Sequence, residues 1–571
     1  MKPPNNPPRT AAELIEHIEQ FDVSAVRRRD MISATKRICA MAGIILTALV
    51  LESAKLRVLL RKILPAAHGV SKKTYSNMRS QFTAALELAN ILQRPKRGLA
   101  RRHPDWKVLM AKLTHDVRLA NGIAAFANWC SAADVTPCDV TDNVVLAFHD
   151  WLTNQTLHLK PNAVVRKVPV LWNECRERID GWPDIHLTSL SFRAVSEKLS
   201  WDALSDAFRR DAEAYLAMRA KPDIFDERPN APRRPLAQTT LRQQREHLRL
   251  AVSVLVQTET AVTDITSLAD LTDSQAMKTI LRHYHDRANG QPNAFAICLA
   301  KTIIQVAQHH TKATSEHVAE LKKIAAKLPS VPFDLTDKNR ALLRHFESER
   351  NRAALLYLPE RLLSEAKADL DGPRLPFVKA QIGIAVDIQL VAPLRPQNLI
   401  RLKWQQHVHE PDGSTGRLKL HIPAGETKTG KRELIYELPT DVANRLRWYR
   451  RKILPRLGAD LDGYLFVTSN GKRKSQETLC DQVVAALKDR LGVHMTPHQF
   501  RHLAATLYLD ANPSDFETVR ALLGHAFSKT TLIYAGASGQ RASRIYGAFL
   551  QEIREELRLK RPRRTQPAKR T

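Results

Sequence analysis

Apolar residues recur at helical spacing through nearly everything before Arg395, whereas residues 417–438 carry them at every second position. In that second stretch LKLHIPAGETKTGKRELIYELP alternates as two strands around a turn. From Thr496 to Tyr534 the helical period returns, with Leu503, Leu507, Leu509, Val519, Leu522 and Leu523 as packing positions. Asn512-Pro513 interrupts it and separates two helices. The pattern predicts a mainly α chain with a small β-sheet, the α+β class. The apolar run 38–51 is too short to cross a bilayer and lies too far in for a signal peptide, so it predicts a buried helix. Overlapping its start, AVRRRDMISATKRICAMAG reads as a basic helix feeding an apolar one, its basic face solvated in preference to touching DNA or a partner protomer.

Stretches rich in proline and charge at 93–102, 221–235 and 328–337 mark the expected joints. An internal repeat lies in the amino-terminal half. DVTD at Asp139 and DLTD at Asp270 are followed, at the same spacing and without a gap, by PNA at Pro161 and PNA at Pro292. Upstream, SKKTYSNMRSQFTAALEL from Ser71 resembles AQTTLRQQREHLRLAVSVL from Ala237, although the spacing to the shared words differs. Each copy reads as a long helix, a short Thr/Asp-capped helix and a third helix.

With 571 residues the chain has length for three or four domains with separate cores. Its 88 Lys and Arg against 59 Asp and Glu give a formal charge of +29. That excess favours a polyanionic partner, because each phosphate neutralised releases condensed counterions. Six cysteines (39, 130, 138, 175, 298 and 480) include no CxxC pair, which argues against a zinc site or a disulfide framework and suits a reducing cytoplasm. The opening MKPPNNPPRT reads as a tail without fixed structure. The closing RLKRPRRTQPAKRT reads as a flexible basic arm for phosphate contacts.

The segment TPHQFRHLAATLYLDANPSDFETVRALLGHAFSKTTLIY concentrates reactive side chains. His498 and Arg501 lie three apart and share a helical face. An arginine fork binds non-bridging phosphate oxygens, a histidine moves or steadies protons, and a phenol such as Tyr534 is a nucleophile. His498 and His502 have the spacing of a metal pair, but no acid follows the first and Arg501 between them would repel a cation, so no metal site and no cofactor are expected.

HQFRH, then LLGH, then a tyrosine nine residues after that histidine resembles the second half of the tyrosine recombinase (phage integrase) signature. APLRPQNLIRLKW resembles its first arginine box and singles out Arg395. The hairpin resembles the one that carries the family's lysine, with Lys428 in ETKTGK the best match and Lys431 second. One position departs: the family usually has Glu or Asp three residues after the first arginine, and Asn398 stands there. The resemblance implies that Arg395 and Arg501 clamp a scissile DNA phosphate and that Tyr534 attacks it to form a 3′-phosphotyrosyl link. Lys428 would protonate the leaving 5′-oxygen, with His498 a base or proton reservoir and His525 a donor to a phosphate oxygen. His502 is left to support the fold or a phosphate contact.

On that footing the expected layout is a helical extension at 1–65, a diverged core-binding-like domain at 66–220, a core-binding DNA-binding domain at 236–330, a catalytic domain at 338–560 and a basic tail at 561–571. Thr240, Arg242, Gln243, Arg245 and Arg249 are the expected contacts to double-stranded DNA. After Tyr534, Ile545, Phe549, Leu550 and Ile553 form an apolar stripe that would dock on a neighbouring protomer in a homotetramer on paired sites, or fold back on its own domain. The setting implied is a mobile element in the bacterial cytoplasm, associated with the nucleoid and with no membrane. A type IB topoisomerase, a telomere-resolving enzyme and a non-catalytic DNA-binding protein are the rival readings.

Overall fold

The computed structural model describes the chain except residues 1–6, 94, 96–97, 193–197, 224, 228–230, 233, 259, 373–375, 412, 414–415, 429, 431, 526–527, 535–545, 548 and 556–571. It divides into two compact units, Met1–Leu190 with Asp334–Thr571, and Ser191–Phe333. The chain is mainly helical, and its described strands form one small antiparallel sheet, so the α+β expectation holds.

In the first unit α1 (Ala11–Gln20), α2 (Ala25–Ala42), α3 (Ser53–Lys62) and α4 (Lys72–Leu88) share a core that runs from Ala11 to Leu92 and takes in Leu157. The joint expected at residue 65 therefore falls inside a single core, because α4 packs on α2. The run 38–51 is not one helix either. Gly43 takes a left-handed φ of 66°, which glycine adopts without steric cost, and closes α2 just before it. Beyond it Ile45 is 72% exposed while Leu49 and Leu51 are buried.

Next come α5 (Pro104–Lys112), α6 (Val117–Ala132), α7 (Asp142–Asn154), α8 (Pro161–Val165) and α9 (Lys167–Arg178). Their centre is aromatic: Phe126 meets Trp106, Phe148 and Trp172 edge to face, with ring centroids 5.2–6.4 Å apart.

The second unit holds α10 (Asp206–Ala220), α11 (Gln238–Gln257), α12 (Ala269–Thr272), α13 (Ser274–Arg287), α14 (Ala294–His309) and α15 (Ser315–Ala326). Phe208, Ala212, Tyr215 and Leu216 of α10 join the same core as Leu248, Ile280, Leu299 and Leu321. The domain expected to end at residue 220 thus ends earlier, and α10 belongs with α11–α15.

The repeated words occupy matching places in the two units. Thr141 caps α7 and Asp273 caps α13, each by accepting a backbone N–H of the first turn, while the second pair opens α8 at Pro161 and α14 beside Asn293. Buried residues fall in step as well: Val165, Val168, Trp172 and Cys175 answer to Ala296, Leu299, Ile303 and Val306. The helix standing before them, as α11 does, is α6. The Ser71 match pointed to α4, which lies in the other core.

The carboxy-terminal part of the first unit contains α16 (Asp337–His345), α17 (Glu349–Leu356), α18 (Leu358–Ala368), α19 (Phe377–Val391), α20 (Pro396–Arg401) and α21 (Trp404–His407). The sheet β1 (Val408–His409), β2 (Leu418–Ile422) and β3 (Leu434–Leu438) comes next, then α22 (Thr440–Lys452), α23 (Gln476–Leu491), α24 (Gln499–Ala511), α25 (Phe516–Leu523) and α26 (Ser528–Thr531). The expected hairpin is β2–β3, in a register that sets Leu418 against Leu438, Leu420 against Tyr436 and Ile422 against Leu434. Those residues face the core and their neighbours face out, the alternation seen in the sequence. β1 adds an edge strand that the pattern was too short to announce. One core runs from Leu335 to Tyr534 and closes the domain around α19.

Candidate active site

Arg501 organises the site. It is 3% exposed, and its guanidinium donates from Nη1 to the Pro393 carbonyl (2.7 Å) and from Nη2 to the Leu523 carbonyl (2.5 Å). One side chain therefore joins three segments that are distant in sequence: α24, the turn leading into Arg395, and the end of α25 that leads into His525. Burial and the nearby Arg395 lower its pKa to about 10, leaving it fully charged at neutral pH. Arg395 caps α20 from a half-buried position, and Pro396 suits the first helical place because its missing N–H would be unpaired there anyway. No described carboxylate pairs with Arg395, Arg501 or Lys428.

Gly524 explains the LLGH sequence. It ends α25 at φ 60°, and a Cβ there would come within 2.4 Å of the Leu434 side chain on β3. Only glycine combines that conformation with that approach. Tyr436, also on β3, donates its hydroxyl to the Leu522 carbonyl (2.9 Å), so the hairpin is pinned to the same helix end. His525 comes next in the chain at 8% exposure, with Nδ1 3.1 Å from the Thr531 hydroxyl. With that hydroxyl donating, the neutral ring carries its proton on Nε2, the tautomer able to donate to an anion.

Tyr534 is 5% exposed and its hydroxyl lies 3.0 Å from His502 Nδ1. Burial raises the phenol pKa to about 12, against a smaller lowering by Arg501. His502 is pushed the other way, to about 4, by burial first and then by His498 and Arg501. His525 also falls to about 4 through burial and the two arginines. His498, at the head of α24, is lowered by partial burial and then by Arg501, Arg395 and Lys428. Lys428, last among these influences, stands exposed in the turn. Lys431 lies outside the described residues.

All six expected positions except Lys428 are thus tied together by bonds or by shared electrostatics within one core, and Lys428 approaches from the hairpin. Sequence reading missed two features. His502, expected to support the fold or a phosphate contact, is the hydrogen-bond partner of Tyr534, and its i, i+4 spacing from His498 already placed the two rings on one face. Asn398 donates from Nδ2 to the Glu426 carbonyl (3.0 Å), fixing the start of the turn that carries Lys428. The Glu426 carboxylate is held in turn by His407 Nε2 (3.1 Å) and Gln406 (2.9 Å). Because the Lys403 N–H donates to His407 Nδ1, the ring proton sits on Nε2 and points at Glu426.

The α11 residues lie in the other unit. Arg242 and Gln243 are exposed and Thr240 is half-buried. Arg245 stacks over Trp201, 4.2 Å from the ring centroid, and pairs with Glu213 at 2.9 Å. Arg249 pairs with Glu246 (2.8 Å from Nε) and donates to the Leu199 carbonyl. Of the carboxy-terminal stripe, Phe549 is exposed, Leu550 and Ile553 are half-buried, and Ile545 lies outside the described residues, as does the basic tail. Among the described residues no group of His, Cys, Asp and Glu is arranged to hold a metal, and no helix is long and apolar enough to cross a membrane.

Among known proteins, residues 369–541 match the model of the phage integrase family. Tyrosine recombinase XerC of Pseudomonas putida F1 is 35% identical over 99 residues, 17% of this chain and 32% of that protein. Tyrosine recombinase XerC of Stutzerimonas stutzeri is 32% identical over 131 residues, 22% of this chain and 43% of that protein. The chain spans about a third of the length of the first of these relatives. A lambda integrase dimer bound to a core site aligns at 16% identity with a TM-score of 0.34, covering 56% of this chain and 95% of that one. The matched segment contains every candidate catalytic position from Arg395 to Tyr534, and over that segment the chain is similar to the phage integrase family and to the XerC tyrosine recombinases.

Proposed function

We propose that the chain is a site-specific DNA recombinase that cuts and rejoins strands through Tyr534. The phenol oxygen attacks a phosphodiester, the bond to the 5′-oxygen breaks, and a 3′-phosphotyrosyl link and a free 5′-hydroxyl result. Arg395 and Arg501 clamp the equatorial oxygens, where cations already held in place stabilise the charge that develops. Lys428 protonates the leaving oxygen, and His525 donates to a phosphate oxygen. The hydrogen bond between Tyr534 and His502 adds a second histidine beside His498 for handling the phenolic proton. A phosphate entering the cluster brings negative charge, which raises the pKa of both rings toward the range where they accept a proton.

One observation carries this reading: Arg501 bridges the carbonyls before Arg395 and before Gly524-His525, in a core that also holds Tyr534. Double-stranded DNA is the partner, with the 236–330 domain gripping it through exposed Arg242 and Gln243. Recombination exchanges strands between two duplexes, so the working form is a homotetramer on paired sites, and a mobile element is the setting. Strand cleavage draws its electrophilic help from the arginines and Lys428, so it is expected to persist in EDTA.

The test is a suicide substrate carrying a nicked cognate site, with covalent protein–DNA adduct read on a denaturing gel. Wild type should accumulate adduct and Tyr534→Phe none, while binding by the variant stays close to intact. Adduct formation by Tyr534→Phe would put the nucleophile elsewhere. Efficient relaxation of a supercoiled plasmid lacking any cognate site would replace site-specific recombination with topoisomerase action.

A further inference from the structure

The amino-terminal helices carry a second cluster of cations, separate from the one around Tyr534. α3, the end of α7 and the segment leading into α8 enclose a cavity of about 430 Å³. Arg57, Arg61, Lys160, Arg166, His149 and Asn162 line it, and no carboxylate does. None of the four Lys and Arg side chains has an ion-pair partner among the described residues. Elsewhere on this surface arginines do find acids: Arg118 and Arg178 share Glu174. One acid stands beside the lining, the exposed Asp150 at 3.9 Å from His149 Nδ1, and it pairs with none of the four Lys and Arg side chains.

Arg57 shows that the cluster is built into the fold. It is 8% exposed, and its Nη2 donates to the Thr156 carbonyl (3.2 Å) and to the Thr153 carbonyl at the end of α7. Those carbonyls explain one edge of the guanidinium; the buried Nε remains without a partner. Burial and the neighbouring Arg61 together lower its pKa, the direction expected of cations packed without a counter-charge. Arg61 is held at the rim by the Leu159 carbonyl. His149 Nε2 lies 2.8 Å from Asn162 Oδ1, which fixes the ring beside the opening.

The repeat supplies the contrast. At the spacing that aligns the two PNA words, Lys160 and Arg166 answer to Gln291 and Ile297 in the second unit. Lys160 and Arg166 are thus a property of the first copy and not of the shared helical frame, and Arg57 and Arg61 are added from α3, outside the repeat.

We propose that this cavity binds a phosphate group. A phosphodiester or a free phosphate would neutralise cations that the protein leaves unpaired, and planar guanidiniums match its oxygens. Duplex DNA is the expected source, which would make the first helical copy a second grip on the backbone. The proposal is independent of the role given to Tyr534, since it concerns binding alone.

Arg61, Lys160 and Arg166 are exposed, so replacing all three with Gln leaves the core intact and tests the site in the full chain. The comparison is a triple variant with three exposed cations of α2 replaced, Arg27→Gln, Lys36→Gln and Arg37→Gln, equal in net charge. Binding to non-cognate duplex is measured across salt concentrations, and inorganic phosphate binding by calorimetry. For a DNA source the cavity variant should lower the slope of log K against log salt by about 2 to 3, and the α2 variant by clearly less. Loss of inorganic phosphate binding with an unchanged DNA slope would assign the cavity to a free phosphate compound. Unchanged behaviour in both assays, or equal loss in the two triple variants, overturns the proposal.

Discussion

Arg501 and Arg249 are both expected to meet DNA phosphate, and the chain treats them in opposite ways. Arg501 is buried, bound to two carbonyls and paired with no described carboxylate. Arg249 lies on the helix α11 with its charge answered by Glu246. A carbonyl satisfies an N–H without cancelling the charge, so Arg501 keeps its full attraction for an anion. Glu246 cancels the charge it binds, and a phosphate must displace it first. For this pair, the arginine placed for chemistry and the one placed for grip differ in the partners they keep.

The largest effect should come from removing the carbonyl bridge. Arg501→Ala leaves the Pro393 and Leu523 carbonyls unpaired, at a cost of about 1–3 kcal/mol each. It also removes a preorganised donor, so cleavage should fall on the order of 10²–10³-fold or more. Arg501→Lys separates the two effects, because an ammonium keeps the charge but cannot serve both carbonyls and a phosphate in one plane. It should bind DNA normally and still form adduct far more slowly. If Arg501→Lys forms adduct at the wild-type rate, charge alone matters and the bridge is incidental.

Burial of the two histidines, reinforced by the unneutralised cations around them, should also leave a mark on acid stability. His502 and His525 hold pKa values of about 4 in the folded chain, below the ordinary histidine value. As pH falls from about 6.5 to about 4 the unfolded chain takes up protons that the folded one refuses, so protons favour unfolding across that window. Stability is fully present above about pH 6.5. It is lost on acidification by an amount on the order of a few kcal/mol. Hydrogen exchange over 496–534 should accelerate through this range, and His502→Asn with His525→Asn should flatten the dependence. An unaltered dependence in that double variant would mean that the two rings do not carry it.

Asn398 offers a smaller and sharper test. Asp at this place cannot donate, and its carboxylate would face the Glu426 carbonyl across the 3.0 Å now bridged by an N–H. Loss of the bond should loosen the turn that carries Lys428, slowing cleavage about tenfold for a loss of about 1–1.5 kcal/mol, with DNA binding unchanged. If Asn398→Asp cleaves as fast as wild type, the bond to the hairpin is idle.

Much of this was legible in the sequence, for physical reasons that vary by element. The hairpin was plain because a two-residue alternation permits one inward face, and β2–β3 took the strands expected of it. The arginine–histidine–tyrosine segment was plain because four chemically costly side chains crowd 39 positions that also hold a leucine core. The features that failed to show were tertiary. Burial of α4 against α2 depends on which helices meet, so nothing local forbade a domain joint at residue 65. The 38–51 run read as one helix because its composition is uniform, yet Gly43 ends it. The bond between His502 and Tyr534 joins residues 32 apart, and spacing alone could only place His502 on the face shared with His498.

The smallest expected effect separates the arginines along α11. Arg242 is exposed and no described acid pairs with it, whereas Arg245 and Arg249 are each paired with a glutamate. A cation that meets phosphate directly releases close to one counterion, so Arg242→Gln should lower the salt slope of duplex binding by about 0.9. Arg249→Gln should change it less, since its binding to DNA would first expose Glu246, whose repulsion offsets part of the gain. Glu246→Gln should then raise affinity at low salt, by freeing Arg249 for the backbone. These surface ion pairs are each worth no more than about 1 kcal/mol, so the shifts are a few-fold in affinity and are read best as slopes. Measured side by side, a larger slope change for Arg242 than for Arg249 confirms that pairing predicts grip along this helix. Equal slopes would show that DNA readily displaces Glu246, and that the contrast between Arg249 and Arg501 lies in burial and not in the partner.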